Sequence, residues 1–222
     1  MRELLELGTV NDKLGHLKNF IYDLEICILN VDQIIIAQNE GLSLRPIDGF
    51  IGHYVSLVYS TCAINCYKIF NDKEKRSFIK LFNQIENCRF DKAFNELFSE
   101  NQNKGEENTL IKSKEELITL CEKLKALIIS KATLIEKISN RRTKFYAHSD
   151  PDSINYETET LSDLKKLRDL AKDIYRQLDG NLYDNYFIFE VNIASIKPIL
   201  NDRKFVDDHY KGLEESLDKD YN

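Results

Sequence analysis

The sequence has few of the residues that interrupt helices. Its 222 residues include eight glycines and three prolines, well below the roughly 12% that these two types make up in average proteins. Because glycine and proline mark most turns and helix breaks, their scarcity favours long helices with few connections. The length is that of one large domain, enough to bury a substantial core.

Long apolar runs are missing as well. No stretch approaches the roughly 18 apolar residues that a membrane-spanning helix needs. The N-terminal segment MRELLELGTVNDK has no apolar core of signal-peptide length. We therefore expect a cytoplasmic protein with no membrane partner.

Cysteine is present, but not in the spacing of a disulfide framework or a metal site. Most of the five cysteines fall at apolar helical positions, which predicts reduced thiols in the core; they are Cys27, Cys62, Cys66, Cys88 and Cys121. Cys62 and Cys66 are spaced to share a helix face, yet no second pair of Cys or His stands nearby at ligand spacing. We expect no metal ion and no other cofactor.

The overall charge excludes a protein that binds nucleic acid over its whole surface. The net charge is −6 and the isoelectric point is about 5.4. Any binding of a polyanion must therefore be local to a basic patch.

Start and stop signals divide the chain into helices. Capping boxes, in which two side chains satisfy each other's free backbone donors, predict three helix starts: Thr9 with Asp12, Ser113 with Glu116, and Thr160 with Asp163. The second of these helices is predicted to continue through the basic residues around Arg142.

Stop signals complete this division. Gly41 and Gly180 predict the ends of the first and last of these helices, and Pro198 predicts a kink or a helix end. A further helix is expected from about Phe50 to Phe70, with His53 as a surface or capping residue of its first turn.

The expected fold class is all-α. Apolar residues that recur at helical spacing along the chain predict an antiparallel bundle of four to five main helices over residues 1–180. A helical C-terminal extension of the same domain follows over residues 181–222. The helix that begins after Thr160 should pack antiparallel against the helix that begins after Ser113, because the connection between them is long enough for the chain to reverse direction.

The stretch Leu124 to Asp152, LKALIISKATLIEKISNRRTKFYAHSDPD, carries the most informative pattern. Its apolar residues recur at helical spacing, at Leu124, Ile128, Ile135 and Ile138. Continuing the stripe by four residues reaches Arg142, so a cation replaces the next core residue. A guanidinium is rarely buried without an anion to meet it.

Basic residues are concentrated around this point. Five lie between Lys131 and His148 against a single acid, Glu136; they are Lys131, Lys137, Arg141, Arg142 and Lys144. A cationic cluster with an imidazole at a helix end is typical of a phosphate site. The alternative is that these cations are solvated residues of an ordinary helix C-terminus.

The string R-T-K-F-Y-A-H-S-D, Arg142 to Asp150, resembles the signature of the HEPN domains, in which a His follows an Arg after four to six residues. The A-H-x-D ending and the segment from Tyr54 to Ile85 resemble the abortive-infection branch of the Abi-U type. The resemblance extends loosely over residues 10–180. Thr143 stands where that family usually has Asn, Asp or His. Asp150 stands where members modified by a nucleotidyltransferase have Tyr, which argues against that mode of regulation.

The resemblance implies an endoribonuclease that cuts RNA without a metal ion, in phage defence or a toxin-like system with a neutralising partner protein. Two motifs would meet across a homodimer cleft. His148 would be the general acid or base and Arg142 would hold phosphate oxygens. Thr143 would be a polar helper, and Arg141 and Lys144 would guide the RNA backbone.

Three points stay open at the level of sequence. Asp150 either orients His148 or forms a turn. On an ideal helix Arg142 and His148 lie about 120° apart, so they converge only if the helix ends early or a partner subunit completes the site. The alternatives to an enzyme are a non-catalytic helical module that binds RNA, a nucleotide or a protein, and a structural bundle with Arg142 tied to an internal carboxylate.

Overall fold

The fold is an assembly of helices with one minute pair of strands. The computed structural model describes residues 3–42, 48–104, 109–143, 159–189 and 195–220. Within them are eight helices: α1 Leu7–Asn39, α2 Asp48–Phe70, α3 Phe78–Asn87, α4 Lys92–Asn103, α5 Lys114–Ile129, α6 Ala132–Arg141, α7 Leu161–Tyr183 and α8 Lys197–Asp220. The predicted all-α fold class is confirmed.

The long helix α1 is the centre of the bundle. Its buried residues recur every three or four positions and include Leu17, Ile21, Leu24 and Ile28, each fully buried. This stripe is the amphipathic pattern of a core helix. It forms one hydrophobic core with residues of α2, α3, α5 and α7.

Helix α2 lies antiparallel to α1. The amide of Asn30, late in α1, donates to the hydroxyl of Tyr54, early in α2, over 3.2 Å. Lys68, at the end of α2, lies 4.9 Å from the ring centre of Phe20, in the first half of α1. Contacts that run in opposite order along the two helices fix their relative direction.

Helix α7 is also antiparallel to α1 and is joined to it by ion pairs. Asp32 bonds Lys165 over 2.6 Å and Glu25 bonds Lys172 over 2.9 Å. Helix α7 also contacts α5, in agreement with the prediction that it packs against the helix beginning after Ser113, but its contact with α1 is more extensive. Its long apolar face, with Leu167, Ala171, Ile174 and Leu178, packs along the still longer α1, and the stabilisation from burial is proportional to the apolar area that is matched.

The structure adds a pair of strands that helical periodicity does not predict. Strand β1, Leu4–Leu5, pairs in parallel with β2, Arg89–Phe90. The backbone N–H of Arg89 donates to the carbonyl of Glu3 over 2.8 Å. This pairing ties the segment before α1 to the turn between α3 and α4.

Helix starts were predicted with mixed success. The capping box of Thr160 and Asp163 is confirmed in full, and the Ser113 hydroxyl accepts the N–H of Glu116 as expected. The capping box at Thr9 is wrong, because α1 begins at Leu7 after Glu6, which makes no side-chain cap.

Of the two helix ends predicted from glycine, one is confirmed and the other is wrong. Gly41, at φ 87°, follows the end of α1 as predicted. Gly180 does not end α7, which continues to Tyr183 and stops at Asp184 in the left-handed conformation, φ 61°. Asp is one of the few residues besides glycine that adopt it readily.

Pro198 starts a helix and does not end one. It lies in the first turn of α8, where the N–H that proline lacks has no helical partner anyway. Leu200 of α8 forms a small second cluster with Ile34 of α1 and Ile51 of α2. The backbone N–H of Ile196 donates to Asn30 over 2.9 Å, so the beginning of α8 is held against α1.

The predicted placement of the thiols in the core is confirmed. Cys62, Cys66, Cys88 and Cys121 are buried free thiols and Cys27 is half-buried. Burial raises the pKa of Cys66 and of Cys121 to about 12, which keeps both in the unreactive thiol form. In the part of the chain that the structure describes, no helix is long and apolar enough to cross a membrane.

Candidate functional site

The motif lies on a short helix of its own. The sequence predicts one helix from Ser113 through the motif, but the structure breaks it: α5 ends at Ile129, and α6 begins at Ala132. Neither glycine nor proline marks the break. The Ser130 hydroxyl instead bonds the carbonyl of Leu127 over 2.7 Å, a local bond that competes with helix continuation. The break lets α6 turn onto α2, its main partner.

The end of α6 changes geometry at Arg142. Regular α-helix stops at Arg141, and Arg142 and Thr143 follow in a wider turn of π type. Wider turns of this kind are common at functional sites. The 120° offset between Arg142 and His148 stays a prediction, because His148 lies outside the described residues.

Arg142 is held on an aromatic face. Its guanidinium carbon lies 4.4 Å from the centre of the Tyr67 ring of α2, and its side chain is half-buried. A guanidinium over a tyrosine face is attracted by the ring's quadrupole. The cation that interrupts the apolar stripe is thus covered by a ring, while Ile138, one turn earlier, is 1% exposed.

The neighbouring Arg141 has a different role. Its Nε lies 3.6 Å from Oε2 of Glu159, and the two side chains are 11% and 2% exposed. Glu159 directly precedes Thr160, the N-cap of α7, so the pair joins the end of α6 to the start of α7. This placement gives Arg141 a structural role and adds no support to the prediction that it guides RNA.

The Glu159 carboxylate also faces α2. Burial, and after it this carboxylate, raises the pKa of Tyr59. The same two causes raise the pKa of Cys66 to about 12. The buried anion therefore lies among α2, α6 and α7, where Arg141 compensates its charge.

A second ion pair joins α6 to α7. Lys137 bonds Asp163 over 3.0 Å, with side chains 17% and 15% exposed. Burial would raise the Asp163 pKa, but the backbone N–H of Thr160 and the Lys137 ammonium outweigh it and lower the pKa below its usual value. Two of the five basic residues of the motif stretch, Lys137 and Arg141, are thus committed to α7. Lys144, His148 and Asp150 lie outside the described residues.

Sequence reasoning missed a concentration of positive charge near Tyr67. Lys68, the residue after it, lines a groove of about 480 Å³ with Lys73, Lys75 and Arg76. We call these four cations the basic corner. The run KEKR that carries three of them is visible in the sequence, but only the fold shows that Lys68 and the ring of Phe20 join it.

Further cations lie beside the basic corner. Lys75 and Arg76 also line an adjoining groove of about 370 Å³ with Lys13, His16 and Lys80. Burial, and then the nearby Lys80, lowers the pKa of Lys13, as expected where like charges crowd together. An anion placed here would relieve that repulsion.

The described residues contain no group of three His, Cys, Asp or Glu side chains arranged to hold a metal ion. Comparison of the chain with family models, with curated proteins and with solved structures gave no match.

Proposed function

We propose that this protein is a metal-independent endoribonuclease of the HEPN type, acting through Arg142 and His148 in phage defence or a toxin-like system. The observation that carries the proposal is the contrast between two adjacent arginines. Arg141 is committed to the buried Glu159, whereas the Arg142 guanidinium is held on Tyr67. A structural bundle would tie Arg142 itself to an internal carboxylate.

The chemistry needs one proton-transfer group and one stabiliser of negative charge. The ribose 2′-OH gives up its proton to a base and attacks the adjacent phosphorus, and the leaving 5′-oxygen takes a proton from an acid. The products are a 2′,3′-cyclic phosphate and a 5′-hydroxyl. His148 serves in proton transfer, and Arg142 stabilises the charge that develops on the phosphate oxygens. Thr143, exposed on the wide turn beside Arg142, is the polar helper.

The basic corner supports RNA as the substrate. It lies at the same end of α2 as Tyr67, and contacts to phosphates supply most sequence-independent affinity for nucleic acid. On a chain of net charge −6, such a corner restricts a polyanion to one side. We propose that Lys144 extends this path and that a homodimer brings two motifs together.

A second candidate function is a non-catalytic RNA-binding module. The ring of Phe20 beneath Lys68 favours it, because cations beside an aromatic face bind single-stranded RNA without any chemistry. In that case the basic corner alone explains the affinity, and the Arg142 site contributes none of it.

The test is cleavage of a mixed RNA pool in excess chelator. Wild type should give products with 2′,3′-cyclic phosphate ends. Loss of a general acid or base costs about 10²–10⁴-fold in rate, so His148→Ala should show almost no cleavage. Arg142→Ala should lower the cleavage rate by nearly as much as His148→Ala. Arg142→Lys should keep the charge, lose the planar fork, and remain well below wild type.

The matched control is His53→Ala, which removes an exposed histidine in the second turn of α2 and should leave the rate unchanged. Cleavage that disappears with chelator or survives loss of His148 refutes the mechanism. RNA binding without cleavage, abolished by Lys75→Ala with Arg76→Ala and unaffected by Arg142→Ala, establishes the binding module instead.

A further inference from the structure

A cavity of about 570 Å³ lies between the first half of α1 and the end of α7. Its size falls within the roughly 300–1,000 Å³ of small-molecule sites. Helix α7 has 23 residues and rises about 1.5 Å per residue, so its ends lie about 30 Å apart. The cavity is therefore separate from the Arg142 site, which lies near the beginning of α7.

One wall of the cavity is a fixed aromatic surface. Phe187 packs edge-on against Tyr22, Tyr175 and Phe189, with ring centres 5.7, 6.0 and 4.9 Å apart. Its carbonyl accepts a bond from Arg176 over 3.3 Å. Tyr186, 84% exposed, stands at the mouth. Because the Lys18 ammonium covers one face of Phe187, the exposed Tyr186 ring is the face on which a planar ligand stacks.

Two opposite charges line the same cavity. Asp179 is one of the few buried acids, 7% exposed, and Lys18 lies 4.9 Å from the centre of the Phe187 ring. Burial raises the pKa of Asp179, while a hydrogen bond from the Asn185 side chain and the charge of Lys18 oppose this rise. A cationic ligand would be repelled by Lys18, and an anionic ligand would be repelled by Asp179. The lining thus favours a neutral, planar ligand with donors on one edge and acceptors on another.

The geometry points to this cavity as a binding site for a guanine base. Guanine carries two N–H donors side by side on its Watson–Crick edge, which match the two oxygens of a carboxylate such as Asp179. Its O6 and N7 acceptors are the usual partners of a lysine ammonium, which Lys18 supplies. The aromatic wall takes the face of the base. This site goes beyond the proposed ribonuclease and does not depend on it.

Gly15 provides a way to close the cavity without disturbing the fold. It lies in α1 and lines the cavity, and a Cβ added there meets nothing within 4 Å. Gly52 in α2 is equally open but lies outside the cavity. Leucine in place of either glycine should hold or raise the melting temperature, because glycine is a poor helix former.

The experiment is calorimetric titration of the full chain with guanosine, inosine and adenosine. Guanosine should bind best. Inosine lacks the 2-amino donor and should bind about tenfold more weakly, and adenosine about 10- to 100-fold more weakly. Asp179→Asn should lose about 10- to 100-fold in guanosine affinity, whereas Asp173→Asn, an exposed acid of the same helix, should lose none. Gly15→Leu should abolish binding and Gly52→Leu should preserve it.

A single-stranded oligonucleotide with one guanine separates the two sources of the base. If the oligonucleotide displaces guanosine, the site accepts a guanine that is part of a strand. If it does not, the site accepts only the free nucleoside. Equal affinity for guanosine and adenosine, no guanosine binding at millimolar concentration, or unchanged binding by a folded Gly15→Leu protein each overturn the proposal.

Discussion

The two ends of α7 are held by different forces. At its beginning, ion pairs join it to α6 through Arg141 with Glu159 and Lys137 with Asp163. At its end, aromatic rings pack around Phe187 and Phe189 beside a cavity. The charged end depends on protonation and fails when one partner is lost. The aromatic end depends on shape and buried area.

This difference shows why two adjacent cations of the motif are not equivalent. Arg141 belongs to the charged end of α7, where it lies against the buried Glu159 carboxylate. Arg142 rests on Tyr67 of α2, a contact worth about 0.5–1 kcal/mol at a partly exposed site. A residue that contributes little to stability is available for binding or catalysis.

The largest expected effect is at the charged end. Glu159→Gln leaves the Arg141 charge buried and should lower the free energy of unfolding by about 3 kcal/mol or more, measured by urea denaturation. The control is Glu40→Gln, whose pair with Lys204 spans 3.9 Å with both groups more than half exposed and should matter little. The double variant Arg141→Met with Glu159→Gln should recover part of the lost free energy of unfolding. If it recovers none, Glu159 acts mainly through other partners.

A smaller effect is expected at the aromatic end. Phe189 is 4% exposed, with its ring 5.4 and 5.6 Å from those of Tyr22 and Tyr175. Phe189→Leu should lower the free energy of unfolding by about 1–1.5 kcal/mol, with only a weak dependence on salt from the nearby Lys172 and Arg176. Phe205→Leu, at a position 75% exposed on α8, should have almost no effect. A strong salt dependence at Phe189 would contradict the comparison.

The smallest effect is a pH dependence at the charged end. Because the folded-state pKa of Asp163 is lowered, its carboxylate stabilises the fold above the unfolded pKa, near 3.9, and this contribution disappears as the pH falls through the folded pKa. Asp163→Asn should cost about 1 kcal/mol at pH 7. Denaturation curves of wild type and variant should converge in acid. A difference that persists well below the folded pKa would contradict this account.

The sequence by itself determined the fold class and several helix boundaries. Scarce glycine and proline, apolar residues at helical spacing and the capping box of Thr160 with Asp163 all act within about four residues, and the structure agrees with them. Local signals failed at two helix ends that carry no glycine or proline. The break after Ser130 has a competing hydroxyl bond to Leu127, and α7 stops where Asp184 adopts the left-handed conformation.

Of the candidate site, the sequence identified Arg142 as a cation out of place in an apolar stripe. It did not determine which neighbour would meet it. Only the tertiary structure shows that Glu159 pairs with Arg141, that Tyr67 covers Arg142, that Lys68 joins the basic corner and that Asp179 and Lys18 line one cavity. The reason is physical: helix pairing follows the total apolar area matched along whole faces, and these partners come from helices far apart in the chain.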